Sequence, residues 1–236
     1  MDSTRIVLAL SGGQDSTTCL AWAVALGLEV WPVTIHYGQR HLREVEAAHK
    51  IVHLAGLADR HEVIRLPSGI LASSSPLVDA QAEVGQYPDA QSLPGGVEST
   101  FIPGRNILFL TLLANRAIKI GAASLLIGVS QEDYGGYHDC RETFILAMQE
   151  ALNWGLIGKP QGLVITAPLL HLSKRETVLL GEEVGAGTLL AHSHTCYRGE
   201  YPPCGHCHAC LLRQRGFDEA EVLDPLLVRA GEEGLL

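Results

Sequence analysis

The chain has 236 residues, of which 47% are hydrophobic and 18% charged, with a formal net charge of -9. That is enough apolar material for one large domain with a small appendage, and the acidic balance argues against a large nucleic acid as partner, because phosphate backbones are met by basic surfaces. No apolar run reaches the roughly 18–20 residues of a membrane span and the N-terminus lacks the basic flank and apolar stretch of a signal peptide, so a soluble, cytoplasmic protein without a membrane partner is expected.

The elements alternate along the chain. "RIVLAL" reads as a first strand. Asp15 to Leu26 carries Ala and Leu at helical spacing and stops at Gly27. "EVWPVTIHY" is a second strand, followed by a helix from His41 to Ala55 that stops at Gly56. "HEVIRL" is a third strand. Residues 67–103 are rich in Ser, Pro, Gly and Gln and long for a structureless connection, which predicts an active-site lid. A long helix is predicted from Asn106 to Ile120, then "SLLIGVS" as strand four, a helix from Arg141 to Trp154, "LVITAPLL" as strand five and a helix from Ser173 to Val184. Strands separated by helices predict βαβ units. The expected fold is α/β, a Rossmann-like parallel sheet with helices on both faces. Its ligands should sit at the carboxyl ends of the strands.

The stretch "SGGQDSTT" lies between the first strand and the first helix. Its glycines let the backbone turn sharply and approach a ligand. Backbone N–H groups at the start of a helix make an anion site, to which Ser11, Ser16 and Thr17 add hydroxyls. Asp15 is a candidate N-cap, and also a candidate ligand for Mg²⁺ on a polyphosphate. No Gly-Lys-Ser/Thr follows, so this is not a Walker A loop, and it is not the dinucleotide G-x-G-x-x-G. The simpler alternative is an ordinary capped βα turn.

Further polar groups cluster where strands end. Arg40 and His41 follow strand two and are candidate nucleotide contacts, or else a solvated helix start. In "FIPGRNILFL", Pro103 and Gly104 make a turn, Asn106 is read as the helix cap, and Arg105 suits a carboxylate or phosphate. After strand four, "QEDYGGYHDCRETF" places Asp133, Tyr137, Asp139 and Arg141 where a substrate would lie, with Cys140 either a small buried apolar residue or a reactive thiol. Lys174 starts a helix and either reaches a phosphate or stands exposed.

The chain has six cysteines. Cys196, Cys204, Cys207 and Cys210 share one turn-rich segment in which two C-x-x-C steps meet at Cys207. So tight a group reads as metal binding rather than disulfides. Four thiolates suit a closed tetrahedral Zn²⁺ site, and an iron–sulfur cluster would use the same ligands. With no open position the metal would be structural, holding together a C-terminal coil poor in apolar residues. His206 and His208 are alternative ligands, and His192 and His194 are expected at the surface or behind the ligands.

"SGGQDS" resembles the pyrophosphate loop of the ATP pyrophosphatase superfamily. With "YGQRH", "FIPGRNILFLTL", "GYHDCRETF", "TCYRG" and "CGHCHACLLR" in order over nearly the whole chain, the sequence resembles the 7-cyano-7-deazaguanine synthase family of queuosine precursor biosynthesis. The resemblance implies the adenine nucleotide alpha-hydrolase type of sheet over residues 1–190 and a zinc-binding segment over 191–236. It implies an ATP-dependent carbon–nitrogen ligase that makes 7-cyano-7-deazaguanine from 7-carboxy-7-deazaguanine and ammonia. ATP would lie on Leu10, Ser11, Gly12, Gly13, Gln14, Asp15, Ser16, Thr17, Thr18, Arg40 and His41, with Mg²⁺. Substrate would meet Arg105, Asp133, Tyr137, Asp139 and Arg141, and catalysis would draw on Asp15, Arg105 and Lys174. One Zn²⁺ per chain would sit on Cys196, Cys204, Cys207 and Cys210, and a homodimer is implied. His138 and His208 depart from the family's usual residues. The chemistry agrees: adenylation turns a carboxylate oxygen into a leaving group, ammonia gives the amide, and a second adenylation followed by loss of AMP leaves the nitrile. The rival readings are a tRNA-thiolating or deazaguanine-transferring enzyme of the same superfamily, and a nucleotide-sensing or zinc-dependent interaction module.

Overall fold

A computed structural model describes residues 1–94, 97, 99–131, 136–159 and 161–236. Five strands form one sheet: β1 (Asp2–Ala9), β2 (Glu29–His36), β3 (Glu62–Arg65), β4 (Ala122–Leu126) and β5 (Val164–Thr166). Their order is β3-β2-β1-β4-β5 and every pairing is parallel. The intervening helices are α1 (Gln14–Ala25), α2 (Arg43–Leu54), α3 (Arg105–Ile120), α4 (Glu142–Leu152) and α5 (Lys174–Glu183), and the chain ends with α6 (Gly187–Leu190), α7 (His208–Ala220) and α8 (Pro225–Glu232).

Alternation along β1 builds both halves of the core. Ile6 and Leu8 face one way and pack with Leu20 of α1 and Ala48 and Ile51 of α2. Val7 faces the other way and packs with Val33 and Ile35 of β2, Leu110 and Leu113 of α3 and Ile145 of α4. Val7 and Leu8 are fully buried, as a central parallel strand covered on both faces requires. After β3 the chain crosses back to place β4 on the other side of β1, so the strand order reverses there and opens a crevice at the carboxyl ends. Gly128, just past β4, comes so close to α1 that a Cβ on it would lie 3.0 Å from Ser16 N.

Several expected boundaries move. Strands four and five end early, at Leu126 and Thr166, as the chain peels off toward the crevice. The fourth helix passes into a π turn at Asn153–Ile157. Between residues 67 and 103 the described chain holds one short 3₁₀ turn, Ala90–Ser92, and is tied down by Arg40 N to Leu77 O and Tyr87 N to His206 O. The C-terminal segment expected as coil is instead half helical. Leu211, Leu212 and Phe217 bury one side of α7, which packs on α5. Asp224 caps α8 by accepting from Leu226 N, with Pro225 in its first turn.

Candidate active site

The loop expected to hold phosphate, here the phosphate loop, follows β1. Leu10 is anchored by donating to Val33 O and accepting from the Thr34 hydroxyl. Gly12 then adopts φ +91°, a conformation that favours glycine. Its Cα lies against α2, and a Cβ would sit 2.2 Å from Glu44 O and 2.8 Å from Ala48 N. Gly13 is the N-cap of α1. Asp15 is therefore not the cap; it stands in the first turn, and Lys174 Nζ donates to its two carboxylate oxygens at 2.9 and 2.7 Å. Lys174 is buried rather than an exposed first-turn lysine. The Ser11 and Ser16 hydroxyls lie 3.0 Å apart. Thr17 and Thr18 donate to the carbonyls of Gly13 and Gln14, which commits both hydroxyls to the helix. The Gln14 amide nitrogen is buried and lacks a partner among the described residues.

Above this loop lies a cavity of about 290 Å³. Of the residues expected to hold ATP or substrate, Leu10, Ser11, Gly13, Gln14, Asp15, Ser16, Arg40, His41, Arg105, Tyr137 and Lys174 line it. Gly12, Thr17, Thr18, Asp139 and Arg141 do not, and Asp133 lies outside the described residues. Arg141 is exposed at the start of α4. Asp139 is buried behind the cavity wall; burial raises its carboxyl against the pull of Arg105, and its Oδ2 has no hydrogen-bond partner among the described residues. Asn106 does not cap α3. Gly104, at φ +79°, is the N-cap, and Asn106 is buried with its amide donating to Asp139 O.

Arg105, the first residue of α3, is surrounded by Tyr37, Tyr137 and Tyr197. Tyr37 stacks at a tilt on Phe109, ring centroids 5.4 Å apart, and burial pushes its phenol up. The Tyr137 hydroxyl lies 2.6 Å from the Thr100 hydroxyl. Glu44, in the first turn of α2, completes the wall. Burial raises its carboxyl to about 7, opposed by Arg105. Sequence reasoning missed Glu44, Tyr37 and Tyr197; the only signal for Glu44 was its place one helical turn after His41. Cys140 is half-buried and also lines the cavity.

The four C-terminal cysteines converge. Their sulfurs all lie within 4.8 Å of one another, with Cys204 Sγ and Cys210 Sγ 3.9 Å apart. One ion bonded to four thiolates at about 2.3 Å holds its sulfurs roughly 3.8 Å apart, so the donor set fits a tetrahedral metal. Hydrogen bonds from Cys207 and Cys210 hold the Cys196 thiol well below its ordinary range, and the same hydrogen bond to Cys196, together with burial, pushes Cys207 up to about 12. His194 is not a surface residue. It is buried, its N–H donates to Gly12 O at 2.8 Å, its Nε2 lies 3.1 Å from Cys196 O, and burial lowers its imidazole to about 4. The cysteine segment is therefore bonded to the phosphate loop. Arg213 of α7, fully buried, reinforces the join through Asp224 at 2.6 and 2.8 Å, the Ser193 and Thr195 hydroxyls and Leu190 O.

A parallel sheet carrying a glycine loop and helix N-terminus at its strand-order reversal, with a Lys–Asp pair facing an Arg-lined cavity, defines an α/β protein of the doubly wound class whose crevice is suited to an anionic ligand. Comparison with known proteins narrows this. Residues 5–221 match the family described as Queuosine biosynthesis protein QueC, and the chain belongs to that family. A relative from Gloeobacter violaceus is 50% identical over 94% of this chain and 95% of its own length. One from Laribacter hongkongensis is 44% identical (97% and 98%), and one from Chromobacterium violaceum is 46% identical (97% and 95%). Each of the three is named 7-cyano-7-deazaguanine synthase.

Proposed function

We propose that this chain is an ATP-dependent carbon–nitrogen ligase that converts 7-carboxy-7-deazaguanine and ammonia to 7-cyano-7-deazaguanine. The observation that carries the reading is the single cavity in which the phosphate loop, the Asp15–Lys174 pair and the Arg105–tyrosine wall face one another. The first adenylation joins a substrate carboxylate oxygen to the α-phosphorus and expels pyrophosphate. Backbone N–H groups from Ser11 to Ser16, the Gln14 amide and Lys174 offer donors to the departing charge, an electrostatic role. Ammonia displaces AMP to give the amide. A second adenylation on the amide oxygen, then loss of AMP and protons, gives the nitrile, so one loop serves both steps.

Arg105 and Tyr137 hold the substrate side. Arg40 and His41 flank the nucleotide. Mg²⁺ arriving with ATP supplies positive charge that offsets the phosphates, with Asp15 the residue that would hold it. Zn²⁺ on Cys196, Cys204, Cys207 and Cys210 is structural, since the four thiolates leave no open position. The division at residue 190 is part of this reading, with 191–236 lending His194 and Arg213 to the cavity wall. The protein works as a cytoplasmic homodimer on small molecules, without nucleic acid. The thiolation alternative is set aside, because the relatives above are named for the nitrile-forming reaction.

The test is to incubate the protein with ATP, Mg²⁺, ammonium and 7-carboxy-7-deazaguanine and weigh the products. The expected result is the nitrile with two AMP and two pyrophosphate per nitrile, and supplied amide converted with one ATP. Absence of nitrile with every component present overturns the reading.

A further inference from the structure

We propose that Glu44 is the base that takes the proton from the substrate nitrogen in both halves of the reaction. The assignment rests on the ligase function proposed above. Between ammonia and the nitrile, three protons must leave nitrogen, one in the first half of the reaction and two in the second, and each needs an acceptor. When ammonia adds to the acyl adenylate, the new C–N bond puts a positive nitrogen on a tetrahedral carbon; one N–H proton must go to a base before the C–O bond breaks and its electron pair leaves with AMP. In the second half, adenylation of the amide oxygen leaves an iminium nitrogen that loses one N–H proton to give the neutral imidate; a base then takes the second N–H proton, the N–H electrons become the third C–N bond, and the C–O pair again leaves with AMP. The atoms balance with no oxidant or reductant, and the protons are passed on to water.

The geometry singles out Glu44. Its backbone carbonyl abuts Gly12, so the first turn of α2 is locked to the phosphate loop. Its side chain lines the cavity between that loop and Arg105. Among the described residues its carboxylate forms no hydrogen bond or ion pair within 4 Å, in contrast to Asp15, which is engaged by Lys174. Asp139 is kept out of the cavity. The groups that face Glu44 are Arg105 from α3 and Tyr37 beyond β2; Asp15, Lys174, His41 and His194 stand elsewhere around the same cavity. Burial raises the Glu44 carboxyl to about 7, where a general base combines an ionised fraction with a useful proton affinity.

The experiment compares wild type with Glu44→Gln in three assays: carboxylate-dependent ATP–pyrophosphate exchange, nitrile formation from the carboxylate, and nitrile formation from supplied amide. Exchange needs no N–H deprotonation and should stay within about threefold of wild type. Both nitrile assays should fall about 10²–10⁴-fold in kcat. Wild-type kcat should rise with pH through an apparent pKa near 7, and that limb should be missing in Glu44→Gln. If Glu44→Gln does not fold, Glu44→Asp decides by the same kcat and pH comparison, since it keeps a carboxylate but shortens its reach. Nitrile formation within threefold of wild type overturns the assignment, as does a raised KM with kcat and pH limb intact, which marks Glu44 as a substrate-recognition residue. Wild-type protein that makes no nitrile fails the functional reading itself, and is told apart because it needs no variant.

Discussion

The two glycines of the phosphate loop are adjacent in sequence but differ in what they tolerate. Gly12→Ala puts a Cβ at φ +91°, 2.2 Å from Glu44 O and 2.8 Å from Ala48 N. Both are backbone atoms of α2, so no side chain can rotate away. The left-handed conformation costs about 1–2 kcal/mol, and forcing the first turn of α2 outward costs about 1–3 kcal/mol more. A loss of about 2–5 kcal/mol follows. Gly13→Ala sits at φ -79° with its nearest neighbours, Ser11 Oγ and His194 O, at 3.4 and 3.6 Å, which is ordinary contact. It should stay within about 1 kcal/mol, the difference between Gly and Ala at an N-cap. Urea melts followed by tryptophan fluorescence measure both, with unchanged slope and a shifted midpoint for Gly12→Ala alone. Equal midpoints for the two variants would refute the packing of α2 on the loop. Gly13→Val, by contrast, points its bulk at the cavity and should abolish carboxylate and amide adenylation together while the fold survives.

Removing metal from the cysteine cluster, by chelation or Cys207→Ser, should lower stability by several kcal/mol, because binding free energy is folding free energy at such sites; elemental analysis that finds no metal in protein purified without chelator would remove the premise. Arg213→Leu leaves Asp224 buried without its partner and should cost about 3–5 kcal/mol, read as a drop in Tm; a drop under 2 °C would count against the join between α7 and the 190–195 segment. The Glu44 carboxyl also makes stability pH-dependent. Its folded pKa lies above the unfolded value of 4.5, so between pH 4.5 and 7 the unfolded chain releases its proton first and stability falls as pH rises. The shift corresponds to about 3 kcal/mol at most, and partial exposure reduces it to about 1–2 kcal/mol. Glu44→Gln should therefore be more stable than wild type at pH 8 and equal to it at pH 4; a flat difference across that range would contradict the raised pKa.

The parallel sheet was legible because each strand is a short apolar run and each helix a periodic one, with glycines marking the stops. The phosphate loop was legible because its small residues are contiguous. The Asp15–Lys174 pair was not, since 159 residues separate the partners and only the packing of α5 beside α1 unites them. Glu44 looked like one more charge at a solvated helix start, because nothing local reveals that Gly12 draws α2 inward. Thr17 and Thr18 looked available for phosphate, yet a helix turns such hydroxyls back onto its own carbonyls. The helix α7 was hidden because cysteine, glycine and histidine crowd its start, and its Leu211, Leu212 and Phe217 find their apolar partners only in the assembled fold.

Gly216 of α7 comes so near Lys174 that a Cβ there would lie 2.9 Å from Lys174 Cβ, and the backbone of His194 holds Gly12. Both contacts join the end of the chain to its beginning. During synthesis the sheet strands emerge first, but the nucleotide end of the sheet stays unfinished until residue 216 has left the ribosome. The cysteine segment, residues 196–210, lies between the two contacting positions, so it emerges after residue 194 and before residue 216. A chain stopped before residue 194 would carry all five strands and neither contact, so the sheet is complete in sequence well before the loop at its edge is braced.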